Sequence, residues 1–270
     1  TNQEKAEVLA DHFENFFFLN SIEIEENLLS FQTKGNIPFE NIKSITPTEV
    51  KKEISGKIKV QKAPGIDHIS GMLIKQLSKK AIMKLVKIFN AVLRLKYIPT
   101  EWKKAEIIVL LKPGKPAKNR GSYRPISLLP AISKLFERLC IKRLKIIVND
   151  KKLIRDEQFG FREKHSCIEQ LHRITSFIEQ ALEKKEFVVA TFLDVQQAFD
   201  RVFHDKLIQK LSFMLPKNHV ELLSSYLSDM VFRIRFEDAV SVFKPINAGV
   251  PQGSVLAPLL YSLFTTAYKW

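Results

Sequence analysis

The chain is 270 residues long and 45% hydrophobic, with 43 Lys and Arg against 29 Asp and Glu for a formal net charge of +14. That composition excludes a disordered tail and a fibrous repeat, and it leaves room for one large domain or two modest ones around a core. Two cysteines, Cys140 and Cys167, exclude a disulfide framework and a four-ligand zinc site and fit a reducing compartment; no apolar run reaches the roughly 18 residues of a membrane helix. Thr1 stands where a start methionine is usual, so the sequence is expected to be part of a longer chain.

The charge is unevenly spread. Residues 1–45 carry 3 basic and 8 acidic side chains, residues 51–155 carry 27 and 6, and residues 156–270 carry 13 and 14. All the positive excess therefore sits in one central block. Basic residues dispersed through a foldable segment suit a polyanion held by phosphate contacts; a solvated lysine-rich face is the alternative, and charge alone does not separate DNA from RNA.

In chain order, Val8, Leu9, Phe13, Phe16 and Phe17 recur at helical spacing and predict a helix over 5–19 with an aromatic face. Thr46, Pro47 and Glu49 form a helix-start signature, with Thr46 capping and Glu49 completing a capping box, and the helix should end near Gly56. Residues 62–67 read as loop. Met72, Leu73, Leu77, Leu85, Phe89, Val92 and Leu93 then mark one or two helices. Strands are expected over 107–111 and 126–129 on either side of a turn-rich stretch, followed by a helix over 133–148, a polar loop over 156–164 and a helix over 167–184. Residues 187–193 form a continuous apolar run and predict a strand covered on both faces. Helices near 206–214 and 220–230 precede a strand over 231–236, where Phe232, Ile234 and Phe236 alternate with Arg233 and Arg235; Glu237 and Asp238 then open a turn back into Val242 and Phe243. The pattern is α+β.

Three places can bear chemistry. Asp194 ends the apolar run, where a buried carboxylate needs a cation, or else caps the next helix, as Asp200 and Asp205 are also placed to do. A phosphatase-type nucleophile is disfavoured, because Gln196 stands where a second aspartate is expected. The 248–254 turn combines Gly249, Pro251, Gln252 and Gly253; it either brings the backbone close to a ligand or is only a tight turn. The 112–124 loop offers Lys112, Lys115, Lys118, Arg120 and Arg124 to a triphosphate, with an ordinary exposed loop as the alternative. Ser254 lacks an esterase elbow, the His204–Asp205 pair fits surface polarity, and Cys167 fits inert packing.

Six strings in order, KAPGIDHISGMLIKQL, WKKAEIIVLLKPGKP, YRPISLLPAISKLFERL, QFGFREKHSCIEQLHRI, FLDVQQAFDRVFHDKL and AGVPQGSVLAPLLYSLF, resemble the reverse transcriptase domain of jockey-like non-LTR retrotransposons. They cover roughly 46–264. The resemblance implies an RNA-directed DNA polymerase of right-hand form, with a connector over 1–45, fingers over 46–165 and an incomplete palm over 166–270 carrying an antiparallel sheet. It implies that Asp194 is catalytic and ligates two Mg2+ ions, the Val195 carbonyl helping to hold one of them. Phe199 corresponds to the steric gate under the sugar of an incoming dNTP, Arg124 and Lys112 to its triphosphate contacts, and Gln252 and Gly253 to the loop that positions template and nucleotide. The implied partners are an RNA template and a DNA primer, with nuclear access for target-primed copying.

The chain departs from the family in one respect. The paired aspartates expected some tens of residues after the Pro-Gln-Gly loop do not occur before Trp270. Little or no polymerase activity is therefore expected of this polypeptide alone, and a non-catalytic nucleic-acid-binding remnant is the alternative reading. The 187–193 strand is expected to lack a partner on one side, exposing apolar surface and favouring aggregation or partial disorder.

Overall fold

The computed structural model describes residues 1–17, 40–195 and 197–266. The connector stretch 18–39, the far end of the first expected helix, the Phe16 side chain, Gln196 and residues 267–270 lie outside the described ones.

Helix α1 (Asn2–Phe17) buries Ala6, Leu9, Ala10, Phe13 and Phe17, a stripe at helical spacing. Helix α2 (Pro47–Lys57) begins at the anticipated capping box: the Thr46 hydroxyl accepts from the Glu49 backbone and the Glu49 carboxylate accepts from the Thr46 backbone. Arg143 ties this start down, donating to the carbonyls of Lys43 and Ser44 and to Glu49. The long periodic stretch resolves into two helices, α3 (Gly71–Lys75) and α4 (Lys79–Leu95), because Ser70 and Ser78 each cap a new start. A short 3-10 turn, Thr100–Lys103, leads into strand β1 (Lys104–Leu111). Strand β2 (Tyr123–Leu128) follows, then α5 (Ala131–Asp150) and α6 (Cys167–Glu183), the latter opening on a Ser166–Glu169 capping box. Helices α7 (His204–Met214) and α8 (Lys217–Leu227) precede strands β3 (Met230–Phe236), β4 (Ala239–Val240) and β5 (Lys244–Ile246), and α9 (Ala257–Thr265) is the last described element.

The five strands form one sheet in the order β2-β1-β3-β4, with β5 also on β3. The sheet is mixed, where the resemblance implied an antiparallel one. β1 and β3 run parallel, Ala105 opposite Phe232 and Ile107 opposite Ile234, because the chain between them returns through a long helical crossover; the other pairings are antiparallel. The sheet thus joins strands from 104–128 to strands from 230–246. β2 is an edge strand and tolerates Pro125, which has no N–H to contribute. The strand returning along β3 is interrupted, so Val242 and Phe243 lie outside it. Ser241 bridges the gap: its hydroxyl accepts from the Ile234 N–H and its N–H donates to the Ile234 carbonyl, each at 2.9 Å.

As the alternation predicted, Phe232 and Ile234 point into the core, where the Phe17 ring meets Phe232 edge-on at 5.2 Å. Arg233 and Arg235 converge from β3 on Glu106 of β1. A second cluster, Phe89, Trp102 and Phe136, locks α4 and the 3-10 turn against α5 with ring centroids 5.4 to 5.7 Å apart.

The expected strand over 187–193 does not form. The segment has no regular structure and lies outside the sheet, and Phe187, Val189 and Phe192 are almost fully exposed. An apolar run becomes a buried strand only when other strands take its backbone bonds and other side chains cover its faces, and the described residues supply neither. The expected exposure of apolar surface is therefore present without an expected sheet edge. The preceding α6 shares the condition: Ile168, Leu171, Phe177 and Leu182 are exposed, and Ala181 alone among its described side chains is buried. Among the described residues, no helix is long and apolar enough to cross a membrane.

Candidate functional site

The turn at 248–256 is anchored on two sides. On one side it docks on residues 199–204. The Gly249 N–H donates to the Val202 carbonyl at 2.7 Å, the Val250 N–H donates to the Phe199 carbonyl at 2.8 Å, and the His204 ring meets the Gly249 carbonyl at 2.7 Å. On the other side it docks on β2, where the Ser127 N–H donates to the Gln252 carbonyl at 2.8 Å. Both glycines are required. Gly249 has φ +91° and a Cβ there would lie 2.8 Å from the Asp200 carbonyl oxygen; Gly253 has φ +121° and its Cβ would lie 2.5 Å from that of Ser127. The exit from the turn is capped twice. Ser254 accepts the Ala257 N–H at 2.9 Å, and the buried Glu137 of α5 accepts the N–H groups of Val255 and Leu256 at 2.5 and 3.0 Å. Burial raises the Glu137 pKa, and those two backbone donors oppose the rise.

The turn so held carries Gln252, whose Nε2 lies 2.9 and 3.0 Å from the two carboxylate oxygens of Asp200. Asp200 is buried, and desolvation pushes its carboxyl up to about 6 against the lowering effect of the Gln252 hydrogen bond. It is therefore not a helix cap, the alternative its sequence position allowed. Helix α7 starts after Phe203 with no side-chain cap, and Asp205 sits in its first turn. Beside Asp200, Phe199 stacks on Tyr261 of α9 with centroids 4.8 Å apart, and Phe161 meets its ring edge-on at 5.5 Å. Phe161 holds φ +61°, an uncommon conformation for a bulky residue.

Arg124 lies on β2, exposed, three residues before Ser127 and so roughly 10 Å along the strand from the anchored turn. Lys112 is committed to its own loop. Its ammonium donates to the Gly121 carbonyl and its N–H to the Ser122 carbonyl, both at 2.8 Å, while the Tyr123 hydroxyl closes on Ala117. The fold thus brings together Gln252, Gly253, Phe199 and the strand that bears Arg124. It does not bond Asp194 or Val195 to them: both are exposed on the irregular segment that follows the uncovered apolar run, and Asp194 makes no hydrogen bond or ion pair among the described residues. No group of three or more His, Cys, Asp or Glu side chains that could hold a metal occurs among the described residues. A lone exposed carboxylate and one neighbouring carbonyl do not make a divalent-ion site, so these residues by themselves do not fit the pair of ions.

Sequence reasoning missed Asp200 as Gln252's partner, Glu137 as the cap of α9, and Tyr261 and Phe161 as neighbours of Phe199. All four contacts join residues distant in sequence. The one available signal was Glu137, an acid in a basic helix.

Residues 111–268 match the family described as reverse transcriptase (RNA-dependent DNA polymerase), and the chain belongs to that family. Within it the chain resembles the polymerases of non-LTR mobile elements. It is 43% identical over 267 residues to the probable RNA-directed DNA polymerase from transposon BS of Drosophila melanogaster, and 41% identical over 267 residues to the RNA-directed DNA polymerase from mobile element jockey of Drosophila funebris. A further relative is the probable RNA-directed DNA polymerase from transposon X-element of Drosophila melanogaster, 41% identical over 271 residues. These alignments cover 97 to 98% of this chain and 29% of each relative.

Proposed function

We propose that this chain supplies the template- and nucleotide-positioning part of an RNA-directed DNA polymerase of a non-LTR retrotransposon. Its partners are an RNA template and a DNA primer, and its substrate class is deoxynucleoside triphosphates. The observation that carries the reading is the double docking of the 248–256 turn, onto β2 at Ser127 and onto the 199–204 segment at Asp200, which unites Gln252, Phe199 and the Arg124-bearing strand. In this reading residues 46–165 form fingers and 166–270 a partial palm, with 1–45 as a connector. Arg124 meets triphosphate oxygens, with Lys112 supporting the loop beside it; Phe199 lies under the sugar; Gln252 and Gly253 align template and nucleotide. Asp194 and the Val195 carbonyl belong to the reacting end and need further ligands before they can hold Mg2+.

The experiment is equilibrium binding of a fluorescent RNA-template/DNA-primer duplex to the 270-residue polypeptide, with primer extension run in parallel in Mg2+. Phosphate contacts by the central basic block should weaken binding at least tenfold between about 50 and 200 mM salt. Absence of binding at low salt refutes the reading. A specific observation favours a second one: with no group of metal-holding side chains among the described residues, the polypeptide binds nucleic acid without catalysis. Extension that Asp194→Ala abolishes would refute that second reading.

A further inference from the structure

We propose that Asp200 is a positioning residue for Gln252: it fixes which end of the Gln252 amide faces the bound nucleic acid, so that Gln252 meets its ligand as a hydrogen-bond acceptor through Oε1. This rests on the nucleic-acid reading above and deepens it.

An ionised carboxylate has only acceptors, so the amide face turned toward Asp200 must be the NH2 group. Nε2 lies within hydrogen-bond distance of both carboxylate oxygens. Oε1 is left pointing away and makes no hydrogen bond among the described residues, on a side chain that is only half buried. The backbone beneath it is held, the Gln252 carbonyl accepting from Ser127 and Gly249 and Val250 bonded to Val202 and Phe199, so offering the other end means turning the amide itself and losing both bonds to Asp200. A freely rotating glutamine amide offers donor and acceptor alike; this one offers an acceptor. The ligand group it selects is a hydroxyl or amino donor, such as a sugar hydroxyl or the exocyclic amine of a base, and not a phosphate oxygen.

The arrangement is costly in stability. Among the described residues, Asp200 is buried with an amide as its partner and no cation bonded to it. The charged and titratable groups around it are few. Arg201 on its own turn reaches Gln197 at 3.2 Å; His204 at the start of α7 meets the Gly249 carbonyl; Asp205 follows in the same turn; the 249–253 segment brings none, and Ser127 of β2 meets that segment through its backbone. A buried carboxylate with so little compensation is disfavoured for folding alone, and its raised proton affinity agrees with that strain.

The test is a double-mutant cycle on the 270-residue chain with Asp200→Leu and Gln252→Met, the first near-isosteric and unable to accept a hydrogen bond. Affinity for the RNA-template/DNA-primer duplex is read by anisotropy, and thermal melts at pH 7.5 are run on each variant. Each single substitution should weaken binding three- to tenfold, and the pair no more than Gln252→Met alone, because Asp200 acts only through Gln252. Asp200→Leu should melt at or above the unsubstituted protein, which a purely structural aspartate would not allow. Additive losses, or unchanged affinity in a folded Asp200→Leu protein, would overturn the inference. If no protein of the set binds the duplex, the polymerase reading fails, and the Gln252 side-chain amide resonances decide the positioning role separately: a clear shift on Asp200→Leu supports it and an unmoved pair overturns it.

Discussion

Two aspartates six positions apart, Asp194 and Asp200, live in opposite surroundings. Asp200 is buried, bonded to Gln252, and packed beneath a turn whose Gly249, Val250 and Gln252 backbones are bonded to Val202, Phe199 and Ser127. Asp194 is exposed at the end of an apolar run that nothing described covers. The contrast separates two kinds of functional residue. One kind is held by the local fold and is complete within it; the other depends on ligands or strands brought from elsewhere. In the proposed reading, binding and positioning belong to the first kind and reaction chemistry to the second.

The largest expected effect falls on the anchored region. Gly253→Ala places a Cβ 2.5 Å from the Ser127 carbonyl oxygen at φ +121°. Urea denaturation should show a loss of about 3 kcal/mol, through strain and separation of the turn from β2. Next is Glu137→Leu, which leaves the buried N–H groups of Val255 and Leu256 without an acceptor. It should cost about 2 to 4 kcal/mol in the same assay. Losses under 0.5 kcal/mol in both would mean that the turn is not anchored as described.

The pH dependence gives a comparable but oppositely directed effect. The Asp200 carboxyl rises from 3.8 to about 6 on folding, chiefly by burial. The folded chain holds that proton more tightly than the unfolded one. The contribution is therefore fully favourable below about pH 4 and is lost as pH rises through 6, a fall in stability of roughly 3 kcal/mol. Denaturation midpoints between pH 4 and 8 should show this component, and Asp200→Asn should remove it.

The smallest effect belongs to the uncovered region. Phe187→Ser and Phe192→Ser should each shift stability by less than about 0.5 kcal/mol, because the side chains are already in water, while light scattering reports less aggregation. A loss above 2 kcal/mol would show that the run is buried after all.

The same divide explains what the sequence revealed. Capping boxes and alternation are local, so the start of α2 and the inward faces of β3 followed from spacing alone, while spacing left one or two helices open over 72–93, a choice that the Ser78 cap of α4 decides. The turn containing Gln252 was legible as an unusual backbone because two glycines flank a proline and a glutamine. Its partners were not. Asp200 read equally well as a helix cap, since only the folded chain shows a carboxylate facing an amide 52 positions away. The 187–193 run misled for the converse reason: periodicity reports what a segment would do if covered, and says nothing of whether cover is present. Register between β1 and β3, parallel across a long crossover, also leaves no local trace.

The claim at the centre is that β2, the 199–204 segment and the 248–256 turn share one nucleic-acid-binding surface. Photo-crosslinking a template strand carrying 4-thiouridine near the primer terminus, followed by peptide mapping, tests it directly. The account predicts adducts in 112–128, 199–204 and 249–254, lost together at high salt. Adducts confined to α6 and 187–193, with those three segments unlabelled, would contradict it.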